Sequence, residues 1–117
     1  MTVGCESSVA WCVYMLRCAD GTLYTGITTD IDRRLREHRG GSRRARFTAG
    51  FKPVRLAACW KLSGTRGEAL KVEAFIKGMS RIGKEALVAK PEDLRKMIVD
   101  TLGFGASLCP ESAATET

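Results

Sequence analysis

Two short segments rich in aromatic and β-branched residues open the hydrophobic pattern of the chain. Residues 11–17 read WCVYMLR and residues 22–28 read TLYTGIT, a composition that favours β-strands. The intervening CADGT contains an Asp-Gly pair, which is a turn signal. The pattern therefore predicts a β-hairpin over residues 11–28.

The turn decides which side chains of the hairpin share a face, and two registers are possible. A two-residue turn would place Tyr14 opposite Ile27, with Tyr14 and Tyr24 on opposite faces. A three-residue loop with Gly21 in the left-handed conformation would place Tyr14 opposite Gly26. The second register puts both phenols on one face and leaves open space beside Tyr14. Glycine at the third loop position favours it.

A helix is predicted directly after the hairpin. Residues 28–30, Thr-Thr-Asp, are suitable N-caps, and the Gly-Gly pair at residues 40–41 marks a helix end. Four residues fall at i, i+3, i+4 and i+7 and form one stripe: Ile31, Arg34, Leu35 and His38. Two of the four are polar, so the stripe is not purely a core face. Arg34 and His38 are one turn apart and are expected to point into the same cleft.

One further strand and a longer helix follow. Residues 54–62, VRLAACWKL, are almost entirely apolar on both faces, which is typical of a central strand. Residues 65–79 read as a helix that begins with a capping box formed by Thr65 and Glu68. Glu73 borders the predicted buried face of this helix. That face consists of Ala69, Val72, Ile76 and Met79.

The remaining segments are consistent with one domain, because a chain of 117 residues has little room for a second. Shorter helices are expected at about residues 81–89 and 91–101, the second with a proline in its first turn. We expect a short leader over residues 1–10, a domain over residues 11–101 and a flexible tail over residues 102–117.

The charge of the chain is concentrated in one glycine-rich segment. The formal net charge is +6, and residues 39–53 (RGGSRRARFTAGFKP) contain no acidic residue. Positive charge of unbroken sign favours contact with the phosphate backbone of nucleic acid. The basic residues of this segment are Arg39, Arg43, Arg44, Arg46 and Lys52.

Cysteine content and hydropathy exclude several other classes of protein. The five cysteines include no CxxC pair, so neither a disulfide framework nor a zinc site is indicated, and we expect them to pack as small apolar residues. The longest apolar run, residues 9–16, is far shorter than the roughly 20 residues that cross a bilayer. The N-terminus lacks the features of a secretory signal. We therefore expect a cytoplasmic protein with no membrane partner.

Several motifs, in a fixed order, resemble those of the GIY-YIG nuclease superfamily and, within it, the small single-domain bacterial UPF0213 branch. The sequence has VYM ten positions before YTG, then DRRLREH, and then a glutamate within the helix EALKVEAFIK. The resemblance covers residues 11 to about 98. It implies an α+β fold, in which a small three-stranded antiparallel sheet is flanked by helices, and a nuclease active site.

The resemblance also implies the catalytic residues, which are Tyr14, Tyr24, Arg34, His38 and Glu73. Tyr14 or His38 would activate the attacking water or relay its proton, and which group is the general base stays open. Tyr24 would orient water or phosphate. Arg34 would stabilise the transition state, and Glu73 would hold one Mg²⁺ (or Mn²⁺) near the leaving oxygen.

The chemistry of these residue types suits phosphodiester hydrolysis. A guanidinium grips phosphate through a two-pronged contact. A tyrosine with a pKa near ~10 is a poor base unless a metal ion or a cation lowers that value. A metal site with a single carboxylate ligand, in which the ion keeps most of its water ligands, is typical of magnesium. The expected nucleic-acid-binding surface consists of Gly26 and the basic residues of the segment 39–53.

Two departures from the family pattern bear on activity. The first motif reads CVY where the family name expects Gly-Ile-Tyr, although its tyrosine is present. Some relatives carry an asparagine after the glutamate helix, and this chain contains none. Valine suits a strand, so the first departure is harmless. The second points to a weaker site or a different substrate.

The sequence thus predicts a monomeric, metal-dependent endonuclease acting on nucleic acid, with DNA favoured over RNA. No target-selecting domain fits in the chain, so a protein partner is expected to supply any specificity. The alternative is a nucleic-acid-binding module of the same fold with weak or lost catalysis. A third interpretation is an adaptor whose basic face binds an acidic protein.

Overall fold

The structure is a computed structural model that describes residues 9–40 and 53–111. Four strands and four helices are formed within these two ranges. The strands are β1 (Val9–Cys18), β2 (Leu23–Thr28), β3 (Pro53–Gly64) and β4 (Cys109–Glu111). The helices are α1 (Ile31–Gly40), α2 (Arg66–Lys77), α3 (Arg81–Ala89) and α4 (Asp93–Leu102). None of the helices in these ranges has the length and apolar character needed to cross a bilayer.

The sheet has four strands in the described ranges, one more than the three strands that the sequence predicted. The strands of the described ranges form one antiparallel sheet in the order β2-β1-β3-β4, with β3 central as expected. The fourth strand lies in the segment 102–117 that was predicted to be flexible, and that prediction is wrong for residues 104–111. Leu108 is buried in the core, and the hydroxyl of Ser107 accepts a hydrogen bond from the Ser63 amide at 3.1 Å. These contacts hold the short strand against β3.

The hairpin adopts the register of the three-residue loop. Gly21 has a φ of 88°, in the left-handed region that favours glycine. The amide of Cys18 donates to the carbonyl of Thr22 at 2.9 Å, closing the loop. Tyr14 therefore pairs with Gly26, and Tyr24 pairs with Leu16 two positions along β1. Because side chains alternate along a strand, both phenols are on one face of the sheet, as predicted.

The two faces of the sheet have separate cores. On one face, Val13, Met15 and Trp60 are buried with apolar residues of α2, α3 and α4. On the other face, a smaller cluster contains side chains from β1, β2, β3 and α1: Cys12, Tyr14, Leu16, Tyr24, Ile31, Leu35, Leu56 and Cys59. The predicted catalytic tyrosines thus lie under α1.

The helix boundaries follow the capping signals. Thr65 and Glu68 form the predicted capping box, with both reciprocal hydrogen bonds present at 3.1 and 3.2 Å. Helix α3 has the predicted bounds, whereas α4 begins at Asp93, two residues later than expected. Pro91 instead lies in the turn before α4, where its carbonyl accepts a hydrogen bond from Trp60 Nε1 at 2.7 Å.

An ion pair fixes the hairpin against α3. Both terminal nitrogens of Arg17 contact the carboxylate of Glu85, at 2.6 and 2.8 Å. Arg81 donates to the carbonyl of Gly21 at 3.3 Å, which ties the same helix to the hairpin loop. The pair is partly exposed, so solvent screens it and its contribution to stability is small. Its main consequence is a defined position of α3 beside the end of the hairpin.

Candidate active site

Tyr14 is the most deeply buried member of the predicted site. Only 1% of the residue is exposed. A Cβ atom added at Gly26 would lie 2.5 Å from the phenolic oxygen, so only glycine fits opposite this ring. The expectation of open space beside Tyr14 is therefore wrong, because the phenol itself fills that space. Gly26 is also buried, which argues against its predicted contact with nucleic acid.

Burial controls the protonation of Tyr14. Loss of solvent raises the pKa of this phenol to about 12, since the charged phenolate is disfavoured in a buried position. The nearby Arg34 acts in the opposite direction but does not overcome the burial. Tyr14 is consequently a neutral phenol at physiological pH. In this state it can donate a proton in a hydrogen bond, but it is a poor acceptor of a proton from water.

Arg34 extends from α1 to Tyr14. Asp30 caps the start of this helix, accepting a hydrogen bond from the Arg33 amide at 3.1 Å, which fixes the helix directly after β2. The Nε atom of Arg34 donates to the phenolic oxygen of Tyr14 at 3.3 Å. The Nη1 atom of the same guanidinium contacts Glu37 Oε1 at 2.8 Å. Two partners therefore hold the guanidinium at the edge of the phenol.

Glu37 was not among the predicted site residues. Its spacing of three positions from Arg34 is the ordinary spacing of an ion pair on a helix, and this signal was present in the sequence. Arg34, Glu37 and their neighbours Ile27, Thr28 and Arg33 line an open cavity of about 430 Å³. The guanidinium is therefore accessible to a ligand from this side, although only 17% of its side chain is exposed.

Tyr24 lies on the same face as Tyr14 and is half-buried. It contributes to the same small cluster, and its charged form would further raise the pKa of Tyr14, which places the two phenols in one electrostatic environment. Unlike Tyr14, Tyr24 also lines an open cavity at the β2 edge of the sheet. Tyr24 is thus the more accessible of the two phenols.

Glu73 borders the buried face of α2, as the helical pattern predicted. Its side chain is 18% exposed, and Oε2 is 3.3 Å from the ammonium of Lys77 one turn later. The negative charge of Glu73 contributes to the raised pKa of Tyr14, so the carboxylate and the phenol are electrostatic neighbours. The Glu73 carboxylate is therefore close enough to influence the buried phenol, and it contacts the Lys77 ammonium.

The described residues contain no group of three or more His, Cys, Asp or Glu side chains arranged to hold a metal ion. A magnesium ion does not require one, since it is commonly bound by one or two carboxylates with water and substrate phosphate oxygens as the other ligands. Glu73, a partly exposed carboxylate, fits that mode of binding once the exposed Lys77 ammonium turns away from it. A closed zinc-type site does not fit these residues.

The remaining predicted residues cannot be placed. Helix α1 includes the backbone of His38 and Arg39, but their side chains are outside the described part of the structure. The predicted basic contacts of the segment 41–52 are also outside it: Arg43, Arg44, Arg46 and Lys52.

A separate cavity lies on the same face, beyond the start of α1. It has a volume of about 550 Å³, and its lining includes Cys12, Asp30, Cys59 and Lys61. The hydrogen bond between the two thiols lowers the pKa of Cys12. None of the four predicted catalytic residues whose side chains the structure describes lines this cavity: Tyr14, Tyr24, Arg34 and Glu73.

Comparison with known proteins shows the family of this chain. The profile of the GIY-YIG catalytic domain matches residues 10–85. The chain is 47% identical over 83 residues to a UPF0213 protein of Desulfotalea psychrophila, covering 71% of this chain and 74% of that protein. It is 46% identical over 77 residues to a UPF0213 protein of Halalkalibacterium halodurans, covering 66% of this chain and 80% of that protein.

Among solved structures, the solution NMR structure of a UPF0213 protein from Bacillus halodurans is similar to this chain. The sequence identity is 43% and the TM-score is 0.45, with coverage of 69% of this chain and 84% of that one. The profile match and the sequence identities define a GIY-YIG domain. The chain belongs to the UPF0213 group of the GIY-YIG family.

Proposed function

We propose that this protein is a metal-dependent endonuclease that hydrolyses phosphodiester bonds in nucleic acid, with DNA favoured over RNA. The observation that carries the proposal is the hydrogen bond from Arg34 to Tyr14, whose ring packs directly against Gly26 of the hairpin. A guanidinium held by a carboxylate and a phenol, with one side open to solvent, is suited to bind a phosphate. Membership of the GIY-YIG family supports the same class of reaction.

Each side chain has a distinct part in the proposed mechanism. Arg34 binds a non-bridging phosphate oxygen and stabilises the negative charge that develops in the transition state. Tyr14, as a neutral phenol, donates a hydrogen bond that orients the phosphate or the attacking water. Tyr24, which is more accessible, orients the same groups from the cavity side.

The general base must have a pKa close to neutrality, and Tyr14 does not meet this requirement in its buried state. We therefore assign proton transfer from water to His38, which follows Arg34 by one turn of α1, because histidine is the side chain most often used as a general base. Glu73 would hold the divalent cation. When bound, such an ion supplies positive charge to the phosphoryl group and its leaving oxygen.

The proposal is tested with purified protein and labelled single-stranded, duplex and branched DNA and RNA. Each substrate is incubated with Mg²⁺, with Mn²⁺ and with EDTA. Glu73→Gln is compared with Glu92→Gln, because both changes remove one negative charge and Glu92 is exposed with no side-chain capping bond. We expect metal-dependent cleavage by the parent protein and Glu92→Gln, and none by Glu73→Gln.

A binding module without catalysis is the second candidate. It is favoured by the raised pKa of Tyr14 and by the ion pair that occupies Glu73, since neither suits an activated site. Salt-sensitive binding of nucleic acid without cleavage would support this candidate. Absence of both binding and cleavage would leave the third interpretation, an adaptor for an acidic protein. For the nuclease we further propose a cytoplasmic monomer that depends on a partner protein for target specificity.

A further inference from the structure

A groove runs along β2, which is the outer strand of the sheet formed by the described residues. Two adjacent cavities make up the groove, one of about 440 Å³ and one of about 150 Å³, and both are lined by Thr22, Leu23 and Lys84. The larger cavity is also lined by Cys18, Tyr24, Thr25 and Lys77, and the smaller one by Arg81. The groove therefore extends from Tyr24 towards the hairpin loop, between the sheet edge and helices α2 and α3.

The charge of this groove has one sign. Lys77, Lys84 and Arg81 line it, and none of the lining residues that the structure describes is acidic. Carboxylates lie beside two of these cations, since Glu73 contacts Lys77, and Asp20 and Glu85 interact electrostatically with Arg81. Lys84 belongs to none of the ion pairs formed within residues 9–40 and 53–111. Cations that line a groove attract a polyanion and increase its local concentration.

The groove is also built to keep its shape. The contact from Arg81 to the Gly21 carbonyl and the two-pronged pair between Arg17 and Glu85 hold α3 beside the hairpin. Lys84 lies on α3 and so has a fixed backbone position relative to β2. A pre-formed groove costs less free energy to occupy than one that must be ordered on binding.

One end of the groove meets the candidate active site. Tyr24 lines the groove, and Lys77 lies 3.3 Å from Glu73, the proposed metal-binding carboxylate. The side chain of Lys77 is 54% exposed, so it can turn from the carboxylate to an incoming anion. A chain of phosphates lying in the groove would continue directly to Tyr24 and Glu73.

We infer that this groove binds the phosphodiester backbone of the nucleic-acid strand that enters the active site, with Lys77 and Lys84 as phosphate contacts and Arg81 at the far end. The inference rests on the proposed function, because it assigns a strand path to that site. These three cations are distinct from the basic residues of the segment 39–53. They add a second contact surface, on the side of the sheet edge where α2 and α3 pack.

The inference is tested by binding in EDTA, which requires no cleavage. Lys84→Gln is compared with Lys96→Gln, an exposed position on α4 that lines neither cavity, so that both variants lose one positive charge. Fluorescence anisotropy of labelled single-stranded and duplex DNA is measured over a series of KCl concentrations. Thermal melting verifies that both variants are folded, and Lys84→Arg tests whether charge at this position is sufficient.

We expect Lys84→Gln to weaken binding about fivefold at 0.1 M salt and to reduce the slope of log K against log salt by about 0.7 to 0.9, which is the loss of one phosphate contact. Lys84→Arg should restore both values, and Lys96→Gln should remain within twofold of the parent. Equal affinities and equal salt slopes for Lys84→Gln and Lys96→Gln would overturn the inference that the groove binds the strand. That result would not contradict the proposed nuclease activity. A parent protein that neither binds nor cleaves any nucleic acid would overturn both proposals.

Discussion

The Nε atom of Arg34 lies 3.3 Å from the phenolic oxygen of Tyr14, and this hydrogen bond joins α1 to β1 across 20 positions of the chain. Glu37 holds the same guanidinium from the other side, at 2.8 Å. The arginine is thus oriented before any substrate arrives, which lowers the conformational cost of binding phosphate.

Removal of the guanidinium should reduce catalysis strongly. We expect Arg34→Ala to lose on the order of 3 kcal/mol of transition-state stabilisation, or more than a hundredfold in kcat/KM, because the guanidinium that donates to Tyr14 is the proposed phosphate ligand. Cleavage rates of the preferred substrate measure this loss. Arg36→Ala, an exposed position on the same helix, serves as the control and should stay within a few-fold of the parent. Equal rates for the two variants would refute the phosphate clamp.

The glycine opposite Tyr14 should tolerate no side chain. In Gly26→Ala the new Cβ would lie 2.5 Å from the phenolic oxygen and 2.7 Å from Cζ, so the ring must move away from Arg34. We expect a loss of about 1 to 3 kcal/mol in the free energy of unfolding, together with a large loss of activity. Urea denaturation and cleavage assays measure the two effects.

Gly67→Ala is the matched control for that change. A Cβ at Gly67 meets nothing closer than 3.8 Å, and the residue is in the first turn of α2. Alanine has the higher helix propensity, so this variant should be neutral or more stable by up to about 1 kcal/mol. If Gly26→Ala were as stable and active as Gly67→Ala, the packing of Tyr14 described above would be incorrect.

The buried phenol should make the protein less stable in alkali. The pKa of Tyr14 is about 12 in the folded protein and about 10 in the unfolded chain. The contribution of the neutral phenol to the free energy of unfolding is therefore complete below pH 10 and is lost as the pH rises towards 12. By pH 11 the loss is about 1.4 kcal/mol. Tyr14→Phe has no group to ionise, so its stability should fall less between pH 9 and pH 11.

Urea denaturation at the two pH values, with a reductant present, measures this difference. Other groups whose titration affects stability in this range are present in both proteins, so their effects cancel in the comparison. Parallel losses of stability in Tyr14→Phe and the parent would mean that the phenol is not buried as described.

The assignment of His38 as general base predicts a pH dependence of cleavage. At fixed Mg²⁺ concentration, kcat/KM of the parent should rise with pH and level off once the imidazole that acts as the base is neutral. His38→Gln should lose most of the activity and this rise. Added imidazole should restore part of the activity to His38→Gly. A parent-like pH profile in His38→Gln would remove His38 from proton transfer.

Local patterns in the sequence were sufficient for much of the fold. The left-handed Gly21 selects the hairpin register through its own backbone, and the capping box of Thr65 and Glu68 begins α2 through contacts three residues apart. The alternation of side chains along β1 and β2 then places both tyrosines on one face. These features are determined by neighbouring residues, so they can be read from the chain without its tertiary structure.

Tertiary structure decided the features that depend on distant parts of the chain. Strand β4 is three residues long and exposed, so it exists only because Leu108 and Ser107 dock on the sheet. The raised pKa of Tyr14 depends on its burial beneath α1, and this burial cannot be read from the residues around Tyr14 in the sequence. The groove of Lys77 and Lys84 similarly required α2, α3 and β2 to be brought together. The sequence determined which residue types were available and their local order, whereas packing determined which of them meet, how they are charged and what they can reach.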